Sequence, residues 1–429
     1  MGKVVTLGKS DPRPPRPPRP AATPRTRATR RRRRSKTALV LGGGGFTGGV
    51  YEIGALRALD LLSVRRTVNE FDVFVGTSAG SFVAAAIANG VTPEEMMRAI
   101  VADQPSRFPD VRAGSLLQPN YREFVSRGVR LPLRLAGLLR DVARDFGQVS
   151  AVDLVLALAE ALPTGLYRGE GLEGYVARIL AEPERTDDFR ELGPELYLVG
   201  TDLDSCERAV FGAEGLDHVP ISRAVAASSA LPMIYKPVEI DGREYVDGGL
   251  VSTTNLDIAV EAGARFIVVV NPLVPYINDL EAEGKRTPPT RRRVSEMGFP
   301  QIGYQAFKLL AHQRLHELAR SWEDRYPGVD IILIEPEPSD ELMFRTNVMN
   351  FTSRVAIARH GFESVTLHLA HEYHHYKEIC ARHGIEISAT RVRKVVKHFA
   401  AERGKTRAWR KILEQTTSTL LRQSASEDG

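Results

Sequence analysis

Cysteine is scarce in this chain. Cys206 and Cys380 are the only two in 429 residues, too few for a disulfide framework and in keeping with a reducing compartment. Long apolar runs are missing as well. No stretch approaches the roughly 20 uninterrupted apolar residues that cross a bilayer, and Met1 to Asp11 holds no apolar run of signal-peptide length. These absences exclude a disulfide-stapled secreted domain and a helical membrane protein, and they lead to the expectation of a soluble, cytoplasmic chain. Met1-Gly2-Lys3-Val4-Val5-Thr6 fits the loose myristoylation pattern, which acts only in a eukaryotic setting.

Apolar residues, by contrast, make up 43% of the chain, enough to bury the core of one large domain with appendages. The formal charge of +5 is uneven. From Pro12 to Pro24 the chain repeats Arg-Pro-Pro, then runs through Arg30, Arg31, Arg32, Arg33 and Arg34 without a large apolar residue. Such a segment cannot offset its ordering entropy by burial, so residues 1–36 are expected to form a disordered basic arm. The arm is either a plain solvated tail or an attachment to an anionic surface, where each Lys or Arg contributes about 1 kcal/mol. Nucleic acid is the weakest reading, because no aromatic residues interleave the charges.

Order is expected from Thr37. Thr37-Ala38-Leu39-Val40-Leu41 reads as a buried strand that empties into Gly42-Gly43-Gly44-Gly45-Phe46-Thr47-Gly48-Gly49, followed by a helix with Ile53, Leu56, Leu59 and Leu62 on one face. Phe71 to Val75 reads as a second strand, leading through Gly76-Thr77-Ser78-Ala79-Gly80 into an Ala-rich helix. Further strands are expected at Leu196–Val199, Phe266–Val270 and Asp330–Ile334. Strands alternating with helices, each strand a near-continuous apolar run, predict an α/β fold with a mostly parallel sheet covered on both faces. A helical insertion is expected at about 93–180, with Leu135, Leu138, Leu139, Val142 and Phe146 on one face that either packs internally or lies in a lipid interface. The stretch from Asp279 to Arg293 reads as a charged loop. Residues 381–429 read as a basic helical tail, with Val392, Val395, Val396 and Phe399 opposite Arg393, Lys394 and Lys397.

Three motifs carry chemistry. Gly76-Thr77-Ser78-Ala79-Gly80 fits the Gly-x-Ser-x-Gly elbow, in which a sharp strand-to-helix turn lifts the serine above the sheet. The pattern alone is weak, but here it stands between a predicted strand and a predicted helix. The glycine run offers successive backbone N–H groups that could hold an oxyanion or a phosphate. Gly43-x-Gly45-x-x-Gly48 also satisfies the dinucleotide fingerprint, with Glu70 or Asp72 as a ribose partner. Asp247-Gly248-Gly249 follows a hairpin whose turn is Asp241-Gly242. On its own it marks a turn; beside an elbow serine its carboxylate could accept the serine proton.

Taken together, Gly43-Gly44-Gly45, Gly76-Thr77-Ser78-Ala79-Gly80 and Asp247-Gly248-Gly249 resemble the patatin-like phospholipases, and so do Thr201-Asp202-Leu203-Asp204 and Ala227-Ser228-Ser229-Ala230-Leu231-Pro232. The resemblance runs from about Thr37 to Val270 and more loosely to Glu335. It implies a three-layer α/β/α sandwich for residues 37–380. It also implies a lipid acyl hydrolase with a Ser78–Asp247 dyad, an oxyanion hole from Gly43, Gly44 and Gly45, support from Gly76, Gly80, Gly248 and Gly249, and neither metal nor other cofactor. The implied partner is a lipid substrate, at an anionic membrane surface if the arm is an attachment. One departure is that Thr47 stands where the family's glycine loop usually carries Arg or Lys before its last glycine, and Gly42 is an extra glycine.

Two rival readings rest on histidine. A Ser-His-Asp esterase would need His218, His312, His316 or His360 beside Ser78. His371-Glu372-Tyr373-His374-His375 matches His-Glu-x-x-His, though without the usual third ligand, and reads better as a solvated helix face.

Overall fold

The computed structural model describes residues 35–101, 114, 117–123, 125–126, 163–277, 293–337, 340, 342–343 and 352–402. The Arg-Pro-Pro arm, the apolar stripe from Leu135 to Phe146 and the charged segment through residue 292 lie outside the described residues.

The first strand, β1 (Thr37–Leu41), is buried at every position and runs into α1 (Gly45–Leu62); β2 (Val73–Thr77) runs into α2 (Ala79–Ala88), and α3 (Pro93–Val101) follows. Strand β2 starts and ends two residues later than its apolar run suggested. Gly76 and Thr77 stay in register with neighbouring strands, because a residue without Cβ there lets α2 lie close: a Cβ at Gly76 would stand 2.6 Å from Ser81 Cα. Next come the short β3 (Gln118–Pro119), β4 (Gly165–Arg168), α4 (Glu170–Leu180), β5 (Glu195–Asp202), β6 (Arg208–Phe211) and α5 (Ile221–Ser228). Then follow β7 (Met233–Tyr235), the hairpin β8 (Val238–Ile240) and β9 (Arg243–Asp247), α6 (Leu256–Glu261) and β10 (Phe266–Val270). The hairpin turn forms at Asp241-Gly242, where both residues have positive φ, 51° and 76°, as a tight two-residue connection requires. The remaining elements are α7 (Phe299–Ala319), α8 (Trp322–Arg325), β11 (Asp330–Ile334), α9 (Arg354–His371), α10 (Tyr373–Arg382) and α11 (Ala389–Glu402).

The fold is α/β, with a central sheet ordered β11-β10-β1-β2-β5-β9-β8 and β6 on the free edge of β5. Strands β11, β10, β1, β2 and β5 are parallel; β6 and β9 run antiparallel to β5, and β8 pairs antiparallel with β9. Alternate strand residues feed two separate cores, as a two-sided sheet demands. Leu39, Leu41, Phe74, Leu198, Val268 and Val270 face one core with α1, α2, α4, α5 and α9. Ala38, Val40, Val73, Val75, Ile267 and Val269 face the other with α6, α7 and α8. The result is a layer of helices on each face. In the first layer α1 and α9 cross so closely that a Cβ on Gly54 would stand 2.2 Å from the Ala358 carbonyl, and one on Gly361 would stand 2.5 Å from that of Tyr51. Val392 and Val396 of α11 are buried in the same core.

A Gly-rich loop after β1, a serine after β2, Asn271 after β10 and Glu335 after β11 all stand at the carboxyl edge of the parallel strands. That edge is where open α/β sheets place their sites.

Candidate active site

Ser78 is the hinge between β2 and α2, with φ 56° and ψ −128°. A non-glycine residue held there costs about 1–3 kcal/mol, and such strain persists only when the surroundings over-determine it. Here they do. The Ser78 amide donates to Ser228 Oγ at 2.9 Å, and Ser228 Oγ in turn donates to the Val199 carbonyl of β5 at 2.6 Å. The Ser78 carbonyl accepts from Ser81 Oγ at 2.5 Å and from Ser229 Oγ at 3.0 Å. Gly80 completes the turn: a Cβ there would meet the Gly42 carbonyl at 2.4 Å.

Asp247 arrives from 169 residues away. Its register explains the meeting. Residues Glu195 to Val199 of β5 pair with β2, while Gly200 to Asp202 pair with β9, and β6 occupies the opposite edge of β5. Strands β2 and β9 therefore share one edge of β5, running toward each other, with Thr77 opposite Val199 and Asp247 opposite Gly200. Ser78 Oγ donates to Asp247 Oδ2 at 2.5 Å, and both residues are buried. The Gly249 amide donates to Asp247 Oδ1 at 2.8 Å, and Thr201 Oγ1 donates to the Asp247 carbonyl at 3.0 Å. The Asp247 amide donates to the Ala230 carbonyl. The short run Ser228-Ser229-Ala230 thus holds both partners, a role its sequence did not announce.

Burial raises the Asp247 carboxyl from 3.8 to about 6, against the lowering effects of the Ser78 hydroxyl and the Gly249 amide. Its proton affinity is thus higher than an exposed carboxylate's. Burial, and then the Asp247 charge, also push the Tyr304 phenol well up, so it stays protonated at neutral pH.

The glycine loop lies against the serine. A Cβ on Gly43 would stand 3.3 Å from Ser78 Cβ. Gly45 opens α1, so the amides at this end have no intrahelical acceptor and carry the positive end of the helix dipole. At Gly44, φ is 154°, and a Cβ would collide with Gly48 and Pro272. Thr47, in the place of the family's cation, is buried and donates through Oγ1 to the Gly44 carbonyl.

Ser78, Asp247 and Gly43 to Gly45 open on one apolar cavity of about 140 Å³, whose walls include Phe46, Phe82, Met96, Ile100, Leu172 and Tyr175. Tyr304 and Phe307 of α7 also line it, and Arg354, at the start of α9, reaches its wall while donating through Nε to the Ile100 carbonyl. A patatin-like phospholipase family profile matches residues 39–260, just over half of the chain.

The chain belongs to the patatin-like phospholipase family.

Among curated relatives, it is 23% identical over 223 residues to the probable lipid hydrolase 463L of Invertebrate iridescent virus 6, covering 52% of this chain and 63% of that one. It is 26% identical over 222 residues to the uncharacterized protein YqhO of Bacillus subtilis strain 168, covering 48% and 63%. The match thus spans less than two thirds of either relative's length. Among solved structures, it is similar to VipD from Legionella pneumophila at 15% identity and a TM-score of 0.33, covering 77% of this chain and 66% of that one. It is also similar to human GIVD cytosolic phospholipase A2, solved with methyl gamma-linolenyl fluorophosphonate, at 11% identity and a TM-score of 0.28, covering 76% and 57%.

Among the described residues no histidine lines the patatin-like cavity. His218 pairs with Asp241 on the hairpin turn, His316 with Glu335 and His360 with Asp340; His312 Nδ1 lies 3.8 Å from Glu335. The two ribose candidates stand at the opposite edge of the sheet: Glu70 caps a short turn with Thr67, and Asp72 accepts from the amide and hydroxyl of Thr37. The His371-to-His375 run is split between α9, which ends at His371, and α10, which begins at Tyr373; His371, His374 and His375 are exposed.

Proposed function

We propose that this chain is a lipid acyl hydrolase that cleaves carboxylic esters of phospholipids or related lipids through a Ser78 acyl-enzyme. The observation that carries the reading is the buried Ser78–Asp247 hydrogen bond at the floor of an apolar cavity. In the first step Asp247 takes the hydroxyl proton as Ser78 Oγ attacks the ester carbonyl. The tetrahedral oxyanion forms beside the amides of Gly43, Gly44 and Gly45, and the amide of Ala79, first residue of α2, stands in the position that elbow hydrolases also use. Collapse expels the alcohol, which takes the proton from Asp247. Water, deprotonated by the same carboxylate, then releases the fatty acid and restores Ser78. The apolar walls suit an acyl chain, and the strained serine backbone aims Oγ without reorganisation.

In this reading residues 37–380 form the hydrolase, residues 1–36 a basic arm and residues 381–429 a basic helical tail, with the enzyme working peripherally on an anionic membrane. No helix among the described residues is long and apolar enough to cross a membrane.

The test is covalent labelling by a fluorophosphonate together with turnover of a short-chain ester. Wild type should label stoichiometrically at Ser78, and Ser78→Ala should neither label nor turn over while keeping its circular dichroism. Full turnover by Ser78→Ala would mean that another residue is the nucleophile.

A further inference from the structure

A second constellation lies outside the cavity, where α7 meets the end of β11. His312 and His316 are one helical turn apart on α7, so both imidazoles project from one face, with ring centroids 4.1 Å apart. Glu335 is the first residue beyond β11. His316 Nε2 stands 2.8 Å from Glu335 Oε2, and His312 Nδ1 stands 3.8 Å from Glu335 Oε1. One nitrogen or oxygen from each of the three lies within 4.8 Å of the others.

A hydrogen-bonded cluster of two histidines and a glutamate needs no ion, but one atom here is left over. His312 Nδ1 is shielded from solvent and has no hydrogen-bond partner, a costly state for a ring nitrogen that a bound cation would relieve. Glu335 is also oriented from behind, as metal-ligating carboxylates are: Asn271 Nδ2 donates to its Oε1 at 2.7 Å, and the buried Asn271 is fixed by its own amide bond to the Ile334 carbonyl.

We propose that His312, His316 and Glu335 form a site for a divalent first-row transition metal of the zinc class, with a coordination position left for water. Two imidazoles and one carboxylate are the donor set such ions take, whereas magnesium and calcium prefer oxygen alone. A tetrahedral ion with bonds of about 2.0–2.1 Å needs donor atoms about 3.3 Å apart, and the two histidine–carboxylate distances, 2.8 and 3.8 Å to one oxygen each, lie either side of that value. His316 remains 41% exposed, which gives the ion a path from solvent. The bound ion would tie α7, the helix carrying Tyr304 and Phe307, to the edge strand β11. Through Glu335 and Asn271 it would also brace the glycine loop, since a Cβ on Gly42 would stand only 3.1 Å from Asn271 Oδ1.

The experiment uses the full chain, stripped with a chelator and titrated with Co²⁺ and Zn²⁺. One equivalent of Co²⁺ should bind with a visible d–d spectrum lacking a thiolate band. Zn²⁺ should displace it, excess Mg²⁺ should not, and Tm should rise with the logarithm of free Zn²⁺. Glu335→Gln keeps the shape and an acceptor for Asn271, so it should fold normally yet bind more than about 100-fold more weakly, since even outer-shell partners are worth about 10- to 100-fold. His312→Ala and His316→Ala should lose the spectrum, while a His371→Ala, His375→Ala double variant should keep it. Absence of stoichiometric binding to wild type, or unchanged binding by folded Glu335→Gln, or loss in the His371/His375 variant, would overturn the assignment.

Discussion

At the scale of single residues, the proposed Ser78–Asp247 dyad would set catalytic power against stability. Asp247 is raised from 3.8 to about 6 by burial, so between those values the folded protein keeps a proton that the unfolded chain has released. The stability that this proton contributes is complete below pH 3.8 and is lost as pH rises through 6. By pH 8 the buried charge costs about 3 kcal/mol relative to an unshifted carboxyl. Asp247→Asn cannot ionise, yet its oxygen can still accept from Gly249 and its amide can donate to Ser78. The expected result is ester turnover lower by about 10²- to 10⁴-fold together with a higher Tm at pH 8, a gain that shrinks toward pH 5. Thermal denaturation at both pH values beside turnover measures both halves; a lower Tm at pH 8 would contradict the burial argument. Wild-type turnover should climb with pH along a limb centred near 6, because only the carboxylate accepts the serine proton.

Among the elements, α1 matters most, because it starts at the glycine loop and is gripped along its length by α9. Its near-contact with α9 depends on Gly54 and Gly361. A methyl at Gly361 has the Tyr51 carbonyl 2.5 Å away, and that carbonyl is helix backbone that cannot rotate aside. Gly361→Ala should therefore push the helices apart and cost about 1–3 kcal/mol, the usual range for overpacking, despite alanine's better helix propensity. Urea denaturation checks this. A mutant as stable as wild type would show that α9 rides on α1 without constraint. The same change should lower turnover, since α1 carries the loop amides at its first turn.

For the whole molecule, the proposed attachment of residues 1–36 to an anionic surface can be tested apart from hydrolysis. Deleting residues 2–34 removes a run of arginines while leaving Thr37 and all that follows. Binding to anionic vesicles should weaken, and hydrolysis of a soluble ester should be unchanged. Salt should mimic the deletion, since at about 0.15 M charges interact only over roughly 8 Å. Co-sedimentation at low and high salt tests this; equal sedimentation of the two proteins at low salt would move attention to Arg393, Lys394 and Lys397.

Much of this protein was legible in its sequence because the signals are local. Apolar runs gave β1, β10 and β11 at their observed limits, and Asp241-Gly242 gave the hairpin turn. The three motifs brought Ser78, Asp247 and the glycine loop into view before any contact was known. The Gly-x-Ser-x-Gly pattern also announced the sharp turn at Ser78, but the antiparallel strand β6 and the placement of the hairpin beside β5 left no such signal. The run from Ala227 to Pro232 stood out through its family resemblance, but its spacing did not show that Ser228 and Ser229 grip the Ser78 turn. His312 and His316 were visible as candidate triad histidines downstream of Asp247, but their company with Glu335 was not. Spacing along a chain fixes which residues share a strand or a helix face. Only the sheet register, set by long-range hydrogen bonds and by the burial of two opposed faces, decided that β2 and β9 meet head to head on one edge of β5, with a serine and an aspartate at the meeting point.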